Sequence, residues 1–184
     1  ELRLVDGKNV AGILPDDAFD RVADRLEEAH IQVTGLASAI GNWSRNIADD
    51  FEQDVTDLKR SIPRMHRLGT KFIRTMSWVG EGASDEDWRR EVMRRYRELA
   101  KIAADGDIVI AHENCTGWAG QSARHMRALV DEVGSDHLVV LYDTGNTISY
   151  GQDPWAFYTG LRDVIRYIHI KDCRKAPAGG PSDD

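Results

Sequence analysis

Three residues with metal-binding side chains follow one another at nearly equal spacing in the second half of the chain. Glu113, Asp143 and His169 each lie at the end of a short apolar stretch, and their successive separations are 30 and 26 positions. One strand–helix unit of an α/β protein takes roughly 30 residues, so the three side chains are predicted at corresponding places on successive strands. Parallel α/β sheets keep their active sites at the carboxyl ends of their strands. The spacing therefore predicts a site at that edge of a sheet.

Two carboxylates and one imidazole make a donor set for a divalent metal ion. Neighbouring parallel strands lie about 4.8 Å apart, so side chains from three consecutive strands can converge on one ion with bonds of about 2 Å. The donors suit Mn²⁺, Co²⁺, Mg²⁺ or Zn²⁺, and the spacing does not choose among them. Taken singly, each residue has an ordinary alternative: Asp143 as a turn former, Glu113 as a helix cap and His169 as a core group. Their shared position favours the metal site.

Further polar and aromatic residues are predicted near the same edge. Side chains alternate along a strand, so Lys171 lies on the same side as His169, while His112 points towards the helices. From that position the Lys171 ammonium could hold a substrate oxygen or phosphate. Arg74 is either an inward polar anchor or a salt-bridge partner. Trp43 either lines a sugar-binding mouth by stacking or packs against helix ends. The sequence leaves both pairs of alternatives open.

The elements that must position these residues alternate short apolar runs with longer amphipathic stretches, the pattern of βα units around a parallel sheet. Six strands are predicted, at residues 2–5, 31–37, 71–77, 107–113, 137–143 and 164–170. Five helices are predicted between them, at residues 15–30, 49–69, 84–106, 121–134 and 153–163. Caps are predicted at Asp16 or Asp17, Ser84, Asp153 and, for a helix end, Gly69. Pro63 should kink or divide the second helix.

Composition limits the class of protein. The chain has 184 residues, 41% hydrophobic and 30% charged, and a single domain over residues 1–184 is expected. A formal net charge of -7 argues against a nucleic-acid partner. No apolar run approaches the roughly 18 residues of a membrane span, and the first residues lack a signal-peptide layout, so a cytoplasmic protein is expected. Cys115 and Cys173 fit no disulfide or zinc-finger pattern, and reduced thiols are expected. Residues 175–184 lose periodicity and are predicted to form a mobile loop or tail.

Several stretches resemble one known family. These are HENCTGWAG at 112–120, LYDTGN at 141–146 followed by GQDPW at 151–155, and YIHIKD at 167–172. With LGTKFIR at 68–74 and ELR at 1–3, they are similar to the xylose isomerase-like sugar phosphate isomerase/epimerase superfamily of TIM barrels. The resemblance runs through nearly the whole chain.

The resemblance implies roles for individual residues. Glu113, Asp143 and His169 match three of the four metal ligands of the family, with Glu113 also acting as acid and base. Lys171 follows His169 in the HxKD signature and is matched to catalysis and substrate binding. Asn146 stands where many members carry a histidine that contacts substrate, so this sequence departs from the family there. The fourth ligand is a glutamate on the eighth strand, which has no counterpart in these residues.

The implied function is a divalent-metal-dependent isomerase or epimerase that acts on a sugar, sugar phosphate or related polyol through an enediolate. Alternatives are a metal-dependent keto-polyol dehydratase or lyase, and a non-catalytic sugar-binding barrel. Arg74 and Trp43 are predicted to bind the substrate in either enzyme. The expected partner is a small sugar or polyol, and a homo-oligomer is compatible with the sequence. Endonuclease IV shares the superfamily, but its zinc centre needs histidines on early strands, and residues 36–44 and 74–82 contain none.

The number of predicted strands falls short of a closed barrel. A (β/α)8 barrel needs eight units and typically about 250 residues, whereas about six units of this size account for the chain. We therefore expect the first and last strands to be missing from this sequence. An open sheet leaves two unpaired edges, so either a longer chain or a partner should close the barrel.

Overall fold

A five-stranded parallel sheet forms the centre of the protein in a computed structural model that describes residues 1–172. A short antiparallel ribbon, β1 (Leu4–Val5) and β2 (Lys8–Asn9), precedes the sheet strands β3 (Gly35–Ala37), β4 (Phe72–Ser77), β5 (Val109–Gly117), β6 (Leu138–Asp143) and β7 (Ile165–His169). The sheet order is β3-β4-β5-β6-β7, and all neighbours are parallel. Strands that are adjacent in both sequence and space, each pair joined through a helix, form part of a (β/α) barrel. The predicted fold class is confirmed.

Within residues 1–172, six α-helices connect and flank these strands: α1 (Asp16–Glu28), α2 (Glu52–Leu68), α3 (Asp85–Asp105), α4 (Ala123–Val133), α5 (Thr144–Ser149) and α6 (Pro154–Leu161). The predicted caps at Ser84 and Asp153 are confirmed, since each side chain accepts backbone N–H bonds from its own helix. Gly69 ends α2 with φ 66°, a left-handed conformation that glycine adopts at low cost. The predicted elements from residue 31 onwards are therefore largely correct.

The structure answers two helix predictions. Pro63 lies inside α2, which runs unbroken from Glu52 to Leu68, so Pro63 does not divide the helix, and a kink there stays a prediction. The N-cap of α1 is Pro15, which offers no side-chain cap, rather than Asp16 or Asp17. Asp16 instead accepts a hydrogen bond from Arg60 of α2 at 3.1 Å, so its carboxylate joins the two helices.

The first predicted strand was also wrong in extent. Only Leu2 extends the sheet, through a parallel bridge to Leu36 of β3. The next residues fold back as the β1–β2 ribbon because Asp6 and Gly7 both have positive φ, at 48° and 73°. An Asp-Gly pair favours this two-residue hairpin turn. The sheet of the described residues is consequently five strands and one bridging residue rather than six strands.

The hydrophobic core lies between the sheet and its helices. Trp78, Trp118 and Tyr96 are the bulkiest fully buried side chains, and α3 contributes Val92, Met93, Tyr96 and Leu99 to this layer. His112 of β5 faces the helices as predicted, with its ring 5.4 Å from that of Tyr96. The opposite direction of alternate residues then leaves Glu113 on the inner side of the sheet.

Within residues 1–172, no helix combines the length and apolarity needed to cross a membrane. Cys115 is a free thiol. Cys173 and the predicted tail at 175–184 lie outside the described residues.

Candidate metal and substrate site

The structure brings the donor atoms of Glu113, Asp143 and His169 together at the carboxyl edge of the sheet. Glu113 Oε1 lies 3.4 Å and Asp143 Oδ2 lies 3.8 Å from His169 Nδ1, and the three donor atoms all lie within 4.8 Å of one another. Two donors bonded to one ion at about 2.1 Å can be at most about 4.2 Å apart. The His169 distances already satisfy this limit, and a separation of up to 4.8 Å exceeds it by no more than about 0.6 Å. The group can therefore hold a metal ion.

Asp143 divides its two oxygens between a helix and the site. It ends β6 and is the N-cap of α5, where Oδ1 accepts the backbone N–H groups of Gly145 and Asn146, both at 2.9 Å. Its backbone is held by Asn114, which donates to the carbonyl and accepts from the N–H of Asp143. Oδ2 is then left to face His169. The sequence indicated a turn here, and the helix α5 was missed.

Glu113 is held in the same manner on the neighbouring strand. It is 4% exposed, and its Oε2 forms an ion pair with Nη1 of Arg74 at 3.2 Å. Arg74 also donates from Nη2 to the Ser38 carbonyl at 2.9 Å. Arg74 is thus both an inward polar residue and a salt-bridge partner, which answers the question that the sequence left open. Oε1 of Glu113 remains directed at the site, where the Asn146 amide lies 3.3 Å away.

Lys171 reaches the site from the segment after β7. Its Nζ donates to Asn146 Oδ1 at 2.8 Å and lies 3.4 Å from Asp143 Oδ2. The Lys171 side chain is 49% exposed, so its ammonium group is open to solvent at the mouth of the site. Asn146 and Lys171 therefore lie next to the three predicted ligands, and their contact with substrate stays a prediction.

The electrostatic environment keeps Glu113 ionised. Burial alone would raise its pKa, but the hydrogen bond from His169 and the charge of Arg74 outweigh burial and lower the pKa from its ordinary value. His169 responds in the opposite sense, because the Glu1 and Glu113 carboxylates raise its pKa to about 9 in the metal-free protein. Without a metal, the site therefore holds a protonated imidazole next to carboxylates.

Trp43 and Trp78 follow β3 and β4, and they differ in exposure. Trp43 is 48% exposed, and the Arg3 guanidinium lies 5.4 Å from its ring centroid. A contact between Trp43 and a substrate stays a prediction. Trp78 is fully buried and donates its indole N–H to Asp54 at 2.8 Å, so Trp78 packs in the interior rather than lining a mouth.

Three further residues border the site and were not found from the sequence. Glu1 contacts Nε2 of His169, although 168 positions separate the two residues. The Cys115 thiol lies 3.8 Å from the hydroxyl of Tyr150, which is 50% exposed. Burial and then the charge of Glu113 raise the pKa of Cys115, so that thiol lies within the field of the site. The only sequence signal for Tyr150 was its place seven positions after the strand end at Asp143.

The chain matches the family model described as xylose isomerase-like TIM barrel over residues 4–183. It therefore belongs to that family. The sheet, the helices and the edge on which the polar residues gather agree with this assignment.

Individual relatives indicate the class of protein more closely than the family model does. A 2-epi-5-epi-valiolone 7-phosphate 2-epimerase of an Actinoplanes species is 32% identical over 182 residues, covering 97% of this chain and 61% of its own. An inosose dehydratase of Lacticaseibacillus casei is 26% identical over 95 residues, covering 52% of this chain and 32% of its own. Both are enzymes, and the chain covers less than two thirds of each.

A solved structure has the same fold. The xylose isomerase-like TIM barrel protein from Mycobacterium smegmatis in complex with magnesium has a TM-score of 0.69 and 17% identity. The comparison covers 86% of this chain and 57% of that protein. At this identity the similarity establishes the fold alone.

Proposed function

We propose that the protein is a divalent-metal-dependent isomerase or epimerase of a sugar, sugar phosphate or related polyol. The observation that carries this proposal is the convergence of Glu113, Asp143 and His169 on one point at the carboxyl edge of the sheet. The name of the Actinoplanes relative supports a phosphorylated cyclic polyol as one substrate class. The cytoplasm remains the expected location.

The residues fit a metal ion on chemical grounds. Two carboxylate oxygens and one imidazole nitrogen make a mixed donor set, and Mn²⁺, Co²⁺, Mg²⁺ and Zn²⁺ all accept such donors. The magnesium bound to the Mycobacterium smegmatis protein supports the same class of ion. When bound, a divalent ion would polarise the substrate carbonyl and stabilise the negative charge of an enediolate.

The remaining steps fall to side chains of this chain. Glu113 would remove the proton from the carbon between the carbonyl and hydroxyl groups and, in an isomerisation, return it to the neighbouring carbon. In an epimerisation, a second acid on the opposite face of the substrate would supply the new proton. Arg74 holds the other oxygen of Glu113 and favours its ionised form, so the base is oriented and ready before substrate arrives. Lys171 and Asn146 would donate hydrogen bonds to substrate oxygens.

A second candidate is a keto-polyol dehydratase, which the inosose dehydratase relatives favour. It uses the same proton removal by Glu113, after which a hydroxyl group on the adjacent carbon leaves as water. The two reactions therefore share their first step and differ in product. A non-catalytic sugar-binding barrel would bind a ligand without removing any proton.

The shared first step supplies the test. The protein would be loaded in turn with each of the four metals and incubated in D₂O with ketoses, inososes and their phosphates. Proton abstraction replaces a substrate C–H by C–D, which NMR detects even when little product accumulates. The product then separates isomerisation from loss of water. A protein that binds metal but incorporates no deuterium into any of these substrates would favour the non-catalytic barrel.

The variant Glu113→Gln should abolish deuterium incorporation with a milder loss of metal binding, because an amide keeps one oxygen donor but accepts no proton. The control is Glu28→Gln, a change of the same kind at an exposed position on α1. An unchanged exchange rate in Glu113→Gln would remove Glu113 from the mechanism.

A further inference from the structure

One more carboxylate reaches the site, and it comes from the opposite end of the described chain. Glu1 contacts Nε2 of His169, while Nδ1 of the same ring faces Glu113 and Asp143. We propose that Glu1 is a positioning residue that fixes the His169 ring so that Nδ1, and not Nε2, is the nitrogen that binds the metal. This inference rests on the metal site of the proposed function.

The argument follows from the two nitrogens of imidazole. A neutral ring carries one N–H and one lone pair, and only the nitrogen with the lone pair can bind a metal. An ionised carboxylate accepts hydrogen bonds and donates none, so Glu1 requires the proton to be on Nε2. The lone pair is then on Nδ1, which is the nitrogen that lies 3.4 Å from Glu113 and 3.8 Å from Asp143.

The structure holds Glu1 in place by more than its contact with His169. The next residue, Leu2, bonds to β3 on both sides, donating to Gly35 at 3.0 Å and accepting from Ala37 at 2.9 Å. The Glu1 side chain is 17% exposed, which is low for a carboxylate. The bonds of Leu2 therefore fix the backbone next to Glu1 at the edge of β3, and the Glu1 side chain lies beside the His169 ring.

A tyrosine supports the same arrangement from the next inward position on β7. The Tyr167 ring packs edge-on against His169 with centroids 5.6 Å apart, and its hydroxyl lies 2.8 Å from Thr34. His169 is thus fixed on one side by Tyr167 and at its outer nitrogen by Glu1.

Carboxylates that accept the second N–H of a metal-binding histidine typically contribute about 10–100-fold to metal affinity. Two variants test this contribution. Glu1→Ala removes the acceptor, whereas Glu1→Gln keeps an acceptor oxygen without the charge. Glu28→Gln again serves as the control.

Two readouts are needed, and neither is catalytic activity. Competition with a chelator gives the Zn²⁺ affinity, and ¹H–¹⁵N spectra of histidine-labelled, Zn²⁺-loaded protein identify which nitrogen binds the metal. The His169 signals are assigned by their loss in His169→Gln. We expect wild-type protein to have a metal-bound Nδ1 and a protonated Nε2 whose proton exchanges slowly with water. Glu1→Ala should lose about 10–100-fold in affinity and the slow exchange, and Glu1→Gln should recover most of both.

Each outcome bears on a different proposal. Zn²⁺ bound through Nε2 in the wild type, or unchanged affinity and spectra in Glu1→Ala, would overturn the role of Glu1 and leave the metal site standing. A folded wild-type protein that binds no Zn²⁺ and none of the other three metals would overturn the metal site itself, and this inference with it. If Glu1→Ala does not fold, Glu1→Gln decides. Its amide oxygen still accepts the N–H of His169 Nε2, so Zn²⁺ should still bind Nδ1 of His169 in this variant, and binding through Nε2 would overturn the role of Glu1.

Discussion

Replacement of Arg74 by methionine should reveal how strongly the site depends on the buried ion pair with Glu113. The pair is 3.2 Å long, and its side chains are 9% and 5% exposed. Removing one partner of such a pair costs about 3–5 kcal/mol, because the other charge stays buried without compensation. His169 lies beside Glu113 and is protonated at neutral pH in the metal-free protein, which offsets part of this cost. We therefore expect the lower limit, about 3 kcal/mol of unfolding free energy.

The assay is guanidinium chloride unfolding of metal-free protein at pH 7 with a chelator present. A surface pair provides the matched control: Arg21 and Asp17 are 2.8 Å apart, but their side chains are 68% and 72% exposed. Arg21→Met should cost less than about 1 kcal/mol, the range of exposed pairs. The contrast isolates burial, because both changes are from arginine to methionine.

A double-mutant cycle decides whether the charge is responsible. In Arg74→Met with Glu113→Gln, no uncompensated carboxylate charge remains, so the double variant should be more stable than Arg74→Met alone. The reasoning is refuted if the double variant is less stable than Arg74→Met by the full cost of Glu113→Gln. It is equally refuted if Arg74→Met costs no more than the surface control.

Three other perturbations follow from single features of the structure. Burial lowers the pKa of His112 to about 3, and an unfolded histidine takes up its proton below about pH 6.5, so the wild type should lose up to about 1.4 kcal/mol per pH unit between these values. As the pH falls from 7 to 5, the melting temperature of His112→Phe should therefore fall less than that of the wild type. An equal fall in the two proteins would contradict this. Tyr150→Ala should raise KM several-fold with a smaller effect on kcat, measured on whichever substrate shows exchange, because its half-exposed ring borders the site. Gly41→Ala should unfold at a lower denaturant concentration than Gly7→Ala. Both glycines have positive φ, but a Cβ at Gly41 would lie 2.0 Å from the Met76 carbonyl oxygen, whereas a Cβ at Gly7 would have no atom within 4 Å.

The position of the site was predictable from the sequence because it depends on strand repetition. Apolar runs mark β5, β6 and β7, and a residue that ends each run must come to the same edge if the strands are parallel and adjacent. No knowledge of side-chain contacts was needed to bring Glu113, Asp143 and His169 together. Their roles as ligands and as base stay proposals.

Other features depended on contacts that a linear pattern does not carry. The helix α5 forms from TGNTIS, residues of modest helix propensity, because the Asp143 carboxylate satisfies its first N–H groups. Glu1 is separated from His169 by nearly the whole described chain, and nothing in its neighbours predicts the contact. The Asp6-Gly7 hairpin was a local signal, and it was missed because the preceding apolar residues also fit a strand.

A common arrangement connects the three predicted ligands. Each has two polar atoms, and in each the protein occupies one of them: α5 binds Oδ1 of Asp143, Arg74 binds Oε2 of Glu113, and Glu1 binds Nε2 of His169. The second atom of each residue faces the other two residues, and donor atoms of the three lie within 4.8 Å of one another. Held in this way, the three side chains lose little further conformational freedom when they bind an ion, which is how a surrounding set of hydrogen bonds raises metal affinity. Changes at Arg74 or Glu1 should therefore weaken the site while leaving its donors in the chain, which makes these two positions more informative than the ligands themselves.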